Sequence, residues 1–205
     1  MIRNENYKDE TFSNIEIKEP EEIKEPEIKE NKRSKIIASV KEVVVSLLFA
    51  IILYFVITNF FAFQAYIPSE SMTPLLVTGD RAIVTKIYNY NNIKRGDILV
   101  FKNSELNDVL IKRVIGLPGD TVTISNGVVS VNGEVIDEPY VKNKDFSQNK
   151  DGTYNVPEGN YFFLGDNRPV SKDSPLWVNK YIDKSDILGK AQIKIYPFNK
   201  IGMLK

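Results

Sequence analysis

The sequence predicts a mainly β domain carried behind one N-terminal transmembrane helix, and three observations predict it. Residues 43–63, VVVSLLFAIILYFVITNFFAF, hold no charged side chain; as a helix they would span about 31 Å, one bilayer core. Beyond Pro74 the apolar residues fall into short runs of period two separated by turn-forming clusters, the pattern of strands with one buried face. Asn126-Gly127 and Asn132-Gly133 are pairs that tight hairpin turns favour, because both residues tolerate positive φ at low cost.

In chain order, residues 1–35 form a charged tail. It contains an imperfect repeat, Ile17-Lys18-Glu19-Pro20, Ile23-Lys24-Glu25-Pro26 and Ile28-Lys29-Glu30. With little to bury and prolines in the repeats, the tail is expected to be disordered and solvated. Residues 36–63 are the anchor helix and its basic flank. A buried core helix would keep a polar face, and this segment has no charge on any face. A cleaved leader would have a shorter apolar region and a small residue where Phe63 stands in Phe63-Gln64-Ala65, so the segment reads as an anchor retained in the lipid bilayer. Lys32, Arg33, Lys35 and Lys41 precede it, against Glu42 alone. The positive-inside rule then places the N-terminus in the cytoplasm and residues 64–205 outside the cytoplasmic membrane, with Phe60, Phe61, Phe63 and Tyr66 near the outer interface.

Residues 64–205 suffice for one domain with its own core. Strands are expected over 82–84, 98–101, 109–115, 121–124, 128–131, 161–164 and 191–196, with a meander over 121–136. Pro118-Gly119 suits the centre of a type II turn that ends the third of these strands. Residues 141–155, rich in Lys, Asn, Asp and Gln, read as a solvated loop.

Composition narrows the chemistry. The chain has 27 Lys plus Arg against 27 Asp plus Glu, no His and no Cys. A neutral balance without a nucleic-acid motif argues against nucleic acid as partner. Absence of cysteine and histidine excludes thiol proteases, Cys/His zinc sites, HExxH metalloproteases and Ser-His-Asp hydrolases, so neither metal nor cofactor is implied. A serine enzyme here would need a lysine base. Ser71, in Pro68-Ser69-Glu70-Ser71-Met72-Thr73-Pro74, is the candidate nucleophile. Lys112 is the candidate base: on a strand it shares a face with Leu110 and Val114, where desolvation would pull its pKa from about 10.4 toward about 7 or 8. Taken alone, Lys112 would read as an ordinary lysine snorkelling from a sheet edge; its combination with Ser71 changes that reading.

Four blocks carry a family resemblance. They are the Pro68 to Pro74 stretch, Arg95-Gly96-Asp97-Ile98-Leu99-Val100-Phe101, Ile111-Lys112-Arg113-Val114-Ile115-Gly116-Leu117-Pro118-Gly119-Asp120, and Gly165-Asp166-Asn167-Arg168 with Ser171-Lys172-Asp173-Ser174. Behind the anchor and in this order, they resemble bacterial type I signal peptidases, in the compact single-anchor form of Gram-positive bacteria. The resemblance implies that family's β fold, and a membrane-bound Ser/Lys endopeptidase that removes signal peptides from secreted preproteins. It makes Ser71 the nucleophile and Lys112 the base. Ser69 would join the backbone N–H of Ser71 in an oxyanion hole, Ser171 would hydrogen-bond the lysine, and Asp173 with Arg168 would hold the surrounding structure. Ile67, Pro68, Met72, Leu76 and Ile111 would line pockets for small residues before the cut, although Leu76 and Ile111 also suit plain core packing.

The chain departs from the family pattern after Ser174, where Pro175 replaces an arginine and Pro169-Val170 replaces polar residues. The missing cation leaves Asp173 in need of a partner, and Arg113, directly after the base, is expected to supply it; Arg168 is the alternative. Two other functions are weighed: a self-cleaving Ser/Lys peptidase, whose known forms are soluble and joined to a DNA-binding domain, and a membrane-tethered binding domain without catalysis, in which Ser71 or Lys112 would be expected to erode.

Overall fold

The period-two pattern beyond Phe61 yields antiparallel strands throughout the computed structural model, which describes residues 28–143 and 150–205. The apolar run before it forms a helix, α1, over Ile28–Val56, followed by a π turn at Ile57–Phe61. The α-helical ladder stops there beside two polar side chains that bond back to it: Thr58 Oγ1 donates to Tyr54 O at 2.9 Å and Asn59 Nδ2 to Phe55 O at 2.8 Å. Such bonds compete with the backbone ladder. The helix therefore ends before Phe63, which lies instead on a strand paired with Val84. The charged tail also differs from expectation, because Ile28 to Lys35 are helical; most of the repeat lies outside the described residues. The chain divides into two units, Met1–Phe49 and Ala50–Lys205.

In the second unit β1 (Ala62–Tyr66) pairs with β2 (Arg81–Thr85), enclosing the loop that carries Ser71. Next, β3 (Ile98–Asn103) and β4 (Asp108–Gly116) form a hairpin with Leu99 opposite Lys112. The meander is β5 (Thr121–Ser125), β6 (Val128–Val131) and β7 (Glu134–Val135). Then follow β8 (Gly152–Asn155), β9 (Asn160–Leu164), β10 (Ile182–Asp183), β11 (Ile187–Tyr196) and β12 (Gly202–Met203). The larger sheet has the order β1-β2-β11-β3-β4-β9-β10, with β12 also on β11; the smaller is β7-β6-β5-β8.

Both Asn-Gly turns have the backbone their residues permit, with φ of 48° and 78° at Asn126 and Gly127 and 54° and 86° at Asn132 and Gly133. Of the solvated loop expected over 141–155, residues 144–149 lie outside the described residues, and the part that follows them is not a solvated loop. Its end forms β8 against β5, and Lys150 and Tyr154 are buried, the Tyr154 hydroxyl donating to Lys150 O at 2.8 Å.

The core explains why β4 reads as a continuous buried run from Ile111 onward. Ile111 packs with Ile98, Val100, Met72 and Leu76 beneath the Ser71 loop. Val114 packs with Leu99, Phe101, Phe163 and Trp177, where Phe101 and Phe163 stack at 4.2 Å. Ile115 joins Phe162 and Leu164 against the smaller sheet. A strand clothed on both faces has no solvated side for charges, so its two central cations, Lys112 and Arg113, must both find partners inside the protein.

Candidate active site

Ser71 is held by its backbone. The loop from β1 to β2 closes through Ile67 N–H to Asp80 O and Gly79 N–H to Ile67 O, at 3.0 and 2.9 Å, and an ion pair between Asp80 and Lys194 at 2.8 Å pins its end. From the other side, Asn167 N–H donates to Ser71 O at 3.0 Å and Asn167 Nδ2 to Glu70 O at 3.1 Å. Gly165 has no room for a side chain there, since a Cβ would stand 2.5 Å from Ser71 O and 2.2 Å from Ser171 Oγ.

Lys112 reaches this loop from β4. Its Nζ donates to Ser71 Oγ at 2.5 Å, and the lysine is only 4 % exposed. Burial pulls its pKa down to about 8, partly offset by Asp173 and Asp166, with Lys150 adding to the fall. An ammonium that gives up its proton near pH 8 can act as a base at neutral pH. Ser71 and Lys112 thus meet as the sequence predicts, on the floor of a cleft of about 490 Å³.

The other expected residues divide. Ser69 Oγ lies 3.4 Å from Ser71 Oγ. Pro68 and Ile111 line the cleft, as do Leu106, Val109 and Val170, which sequence reasoning missed. All three are exposed apolar side chains: Leu106 and Val170 lie in turns, which carry no periodic signal, and Val109 stands at the solvent end of its strand. Ile67, Met72 and Leu76 are fully buried in the core beneath the loop and line no part of the cleft. Ser171 is buried beside Gly165, but its hydroxyl has no hydrogen-bond partner among the described residues, so the expected bond to Lys112 is absent.

The expected pairing of Arg113 with Asp173 is overturned. Arg113 points to the face of β4 opposite Lys112 and meets Asp166 in a two-pronged contact, Nε to Oδ1 at 2.8 Å and Nη2 to Oδ2 at 2.7 Å. Its Nη1 donates to Gly96 O at 2.8 Å, and its guanidinium stacks 3.8 Å from the Tyr140 ring. The β4–β9 register sets this up: Arg113 lies opposite Leu164, and Asp166 follows two residues later. Burial raises the Asp166 pKa and Arg113 opposes the rise.

Arg168 is not the partner of Asp173 either. It pairs with Glu138 through both terminal nitrogens and donates from Nε to Gly165 O at 3.0 Å. The cation facing Asp173 is Lys150, 3.0 Å from Oδ1 and fully buried with it. Neither Glu138 nor Lys150 was legible as a partner, because each lies in a polar stretch far along the chain from the group it neutralises.

Arg113→Ala and Asp166→Ala are each expected to cost about 3 to 5 kcal/mol in urea unfolding, since each strands a buried charge. The double variant should lose less than the sum, with a coupling of about 1 to 3 kcal/mol. Additive losses would show that the two side chains do not depend on one another.

Comparison with known proteins identifies the family. The family described as signal peptidase, peptidase S26, matches residues 40–196. A signal peptidase I of Leptolyngbya laminosa is 42 % identical over 164 residues, covering 76 % of this chain and 79 % of that protein. A signal peptidase I of Bacillus licheniformis is 35 % identical over 186 residues, covering 83 % and 94 %. Signal peptidase IB of Staphylococcus aureus is 35 % identical over 176 residues, covering 78 % and 91 %. The crystal structure of a signal peptidase I from Enterococcus faecalis aligns at 33 % identity with a TM-score of 0.42, over 48 % of this chain and 96 % of that one. With most of its length matched to these relatives, the chain belongs to the signal peptidase family, peptidase S26, and is an enzyme of the signal peptidase I type.

Proposed function

We propose that the protein is a membrane-anchored endopeptidase that cleaves signal peptides from secreted preproteins with Ser71 as nucleophile and Lys112 as general base. The observation that carries this reading is the buried Lys112 Nζ at 2.5 Å from Ser71 Oγ in a chain without histidine. Lys112, neutral, takes the Ser71 proton as Oγ attacks the scissile carbonyl, and then delivers it to the departing amine. A water deprotonated by the same Nζ hydrolyses the acyl-serine and frees the enzyme. The developing oxyanion is met by the Ser71 backbone N–H and the Ser69 hydroxyl.

The edge of β4 suits an extended substrate. β9 pairs with β4 only over Arg113 to Gly116, so residues 109–112 have one unpaired edge among the described residues, at the cleft. A preprotein segment can add there as a strand. The region Lys32–Phe61 is long and apolar enough to cross a membrane. With Lys32, Arg33, Lys35 and Lys41 before it, the N-terminus is on the cytoplasmic side and the domain after β1 is outside.

Ser71→Ala and Lys112→Ala should each abolish preprotein cleavage, and the double variant should be no worse, as for groups acting as one unit. Lys112→Arg should be equally inactive because guanidinium does not deprotonate in proteins. As the base must be neutral, kcat/KM of the wild type should climb with pH to half its maximum near pH 8 and level off above. Turnover by any of these variants, or a rate that falls over this range, would contradict the mechanism. Protease added to cells stripped of wall should remove the domain and spare the N-terminal tail; the reverse pattern would invert the orientation.

A further inference from the structure

Pro175 stands where the family pattern has an arginine, yet Asp173 is not left without a cation. Lys150 is fully buried, and its Nζ donates to Arg168 O at 3.0 Å, Ser171 O at 2.7 Å and Asp173 Oδ2 at 3.1 Å. An ammonium group has three protons to donate, and here they are directed at backbone carbonyls and a carboxylate. All three acceptors belong to the segment 165–173, whose Gly165 packs against Ser71 O and also donates from its N–H to Asp173 Oδ2 at 3.0 Å. Lys150 therefore ties together, from behind, the turn that abuts the nucleophile.

We propose that Lys150 is a positioning residue for the reaction at Ser71: it holds the 165–173 turn in place and, by neutralising Asp173, sets the electrostatic field in which Lys112 must lose its proton. The inference rests on the Ser71–Lys112 assignment above. Lys150 does not touch the reacting atoms, being sealed from the cleft, and so acts through Asp173 and the turn.

The charges around Lys112 support a tuning role. Asp173, Asp166 and Lys150 act on it from inside the protein, while Glu70, Asp108 and Lys172 line the cleft in front. Asp166 is already paired with Arg113. Asp173 is the strongest charge favouring the protonated amine, and Lys150 opposes it. Without Lys150 the Asp173 carboxylate would act unopposed and keep the proton on Lys112, so that the base would be available only at higher pH.

The test is a cycle of kcat/KM against pH, measured with a preprotein, for the wild type, Lys150→Met, Asp173→Asn and the double variant, with Lys150→Arg as the variant that keeps the charge. Lys150→Met should move the rising limb upward by about one pH unit, an activity loss of about tenfold at pH 7 that is recovered in alkali. Asp173→Asn should move the limb down, and the double variant should lie above Asp173→Asn. Lys150→Arg should leave the limb close to that of the wild type. If Lys150→Met is too unstable to purify, the step from Asp173→Asn to the double variant reads the same effect without stranding a buried carboxylate. A limb that stays in place when Lys150 is lost, in either background, overturns the proposal. Cleavage by Ser71→Ala would instead overturn the dyad, so the two failures are distinct.

Discussion

The structure depends on keeping one amine out of water beside one hydroxyl. Lys112 sits at 4 % exposure with Ser71 as its hydrogen-bond partner, and burial brings its pKa to about 8. Relative to a free lysine, that shift costs about 3 kcal/mol for the protonated form. A nearby carboxylate in direct contact would relieve the cost and keep the amine protonated. The fold avoids this by giving each neighbouring carboxylate a cation of its own: Asp166 has Arg113 and Asp173 has Lys150. The sites of charge are close enough to shape the field at Lys112 and sufficiently neutralised not to fix its proton.

Arranging this requires a strand buried on both faces. β4 presents Lys112 to the cleft side and Arg113 to the other, and buried side chains of other elements pack against both faces of the strand. Buried ion pairs contribute little net stability when intact and a large loss when broken. Their use here is positional. Arg113 fixes Asp166 at the end of β9, Arg168 binds Glu138 and Gly165 O, and Lys150 ties Asp173 to the carbonyls of Arg168 and Ser171. These contacts converge on the turn that grips the Ser71 backbone through Asn167.

The parts legible in the sequence are those encoded by local pattern. Period-two runs located the central strands, and Asn126-Gly127 and Asn132-Gly133 located the meander because few other residues tolerate that backbone. Ser71 and Lys112, which the structure brings into contact, were singled out through exclusion of other chemistries and a motif. What was not legible depends on long-range placement. Phe63 reads as helix by hydropathy, yet the π turn beside Thr58 and Asn59 gives it to a strand. The partners of Asp173 and Arg113 follow from which face of β4 each residue takes and from which distant loop folds over it. Lys150 comes from a polar stretch that carries no periodicity at all. Leu76 read as pocket or core and Met72 as pocket, and packing beneath the loop makes both core.

The most direct test of this account is the titration of Lys112 itself, followed by NMR of protein carrying carbon-13 at the lysine ε position, with Lys112→Arg identifying the signal. A midpoint near pH 8 is expected, well below the ordinary lysine value of 10.5. A midpoint close to 10.5 would contradict it, because a lysine that holds its proton at neutral pH cannot serve as the base for Ser71.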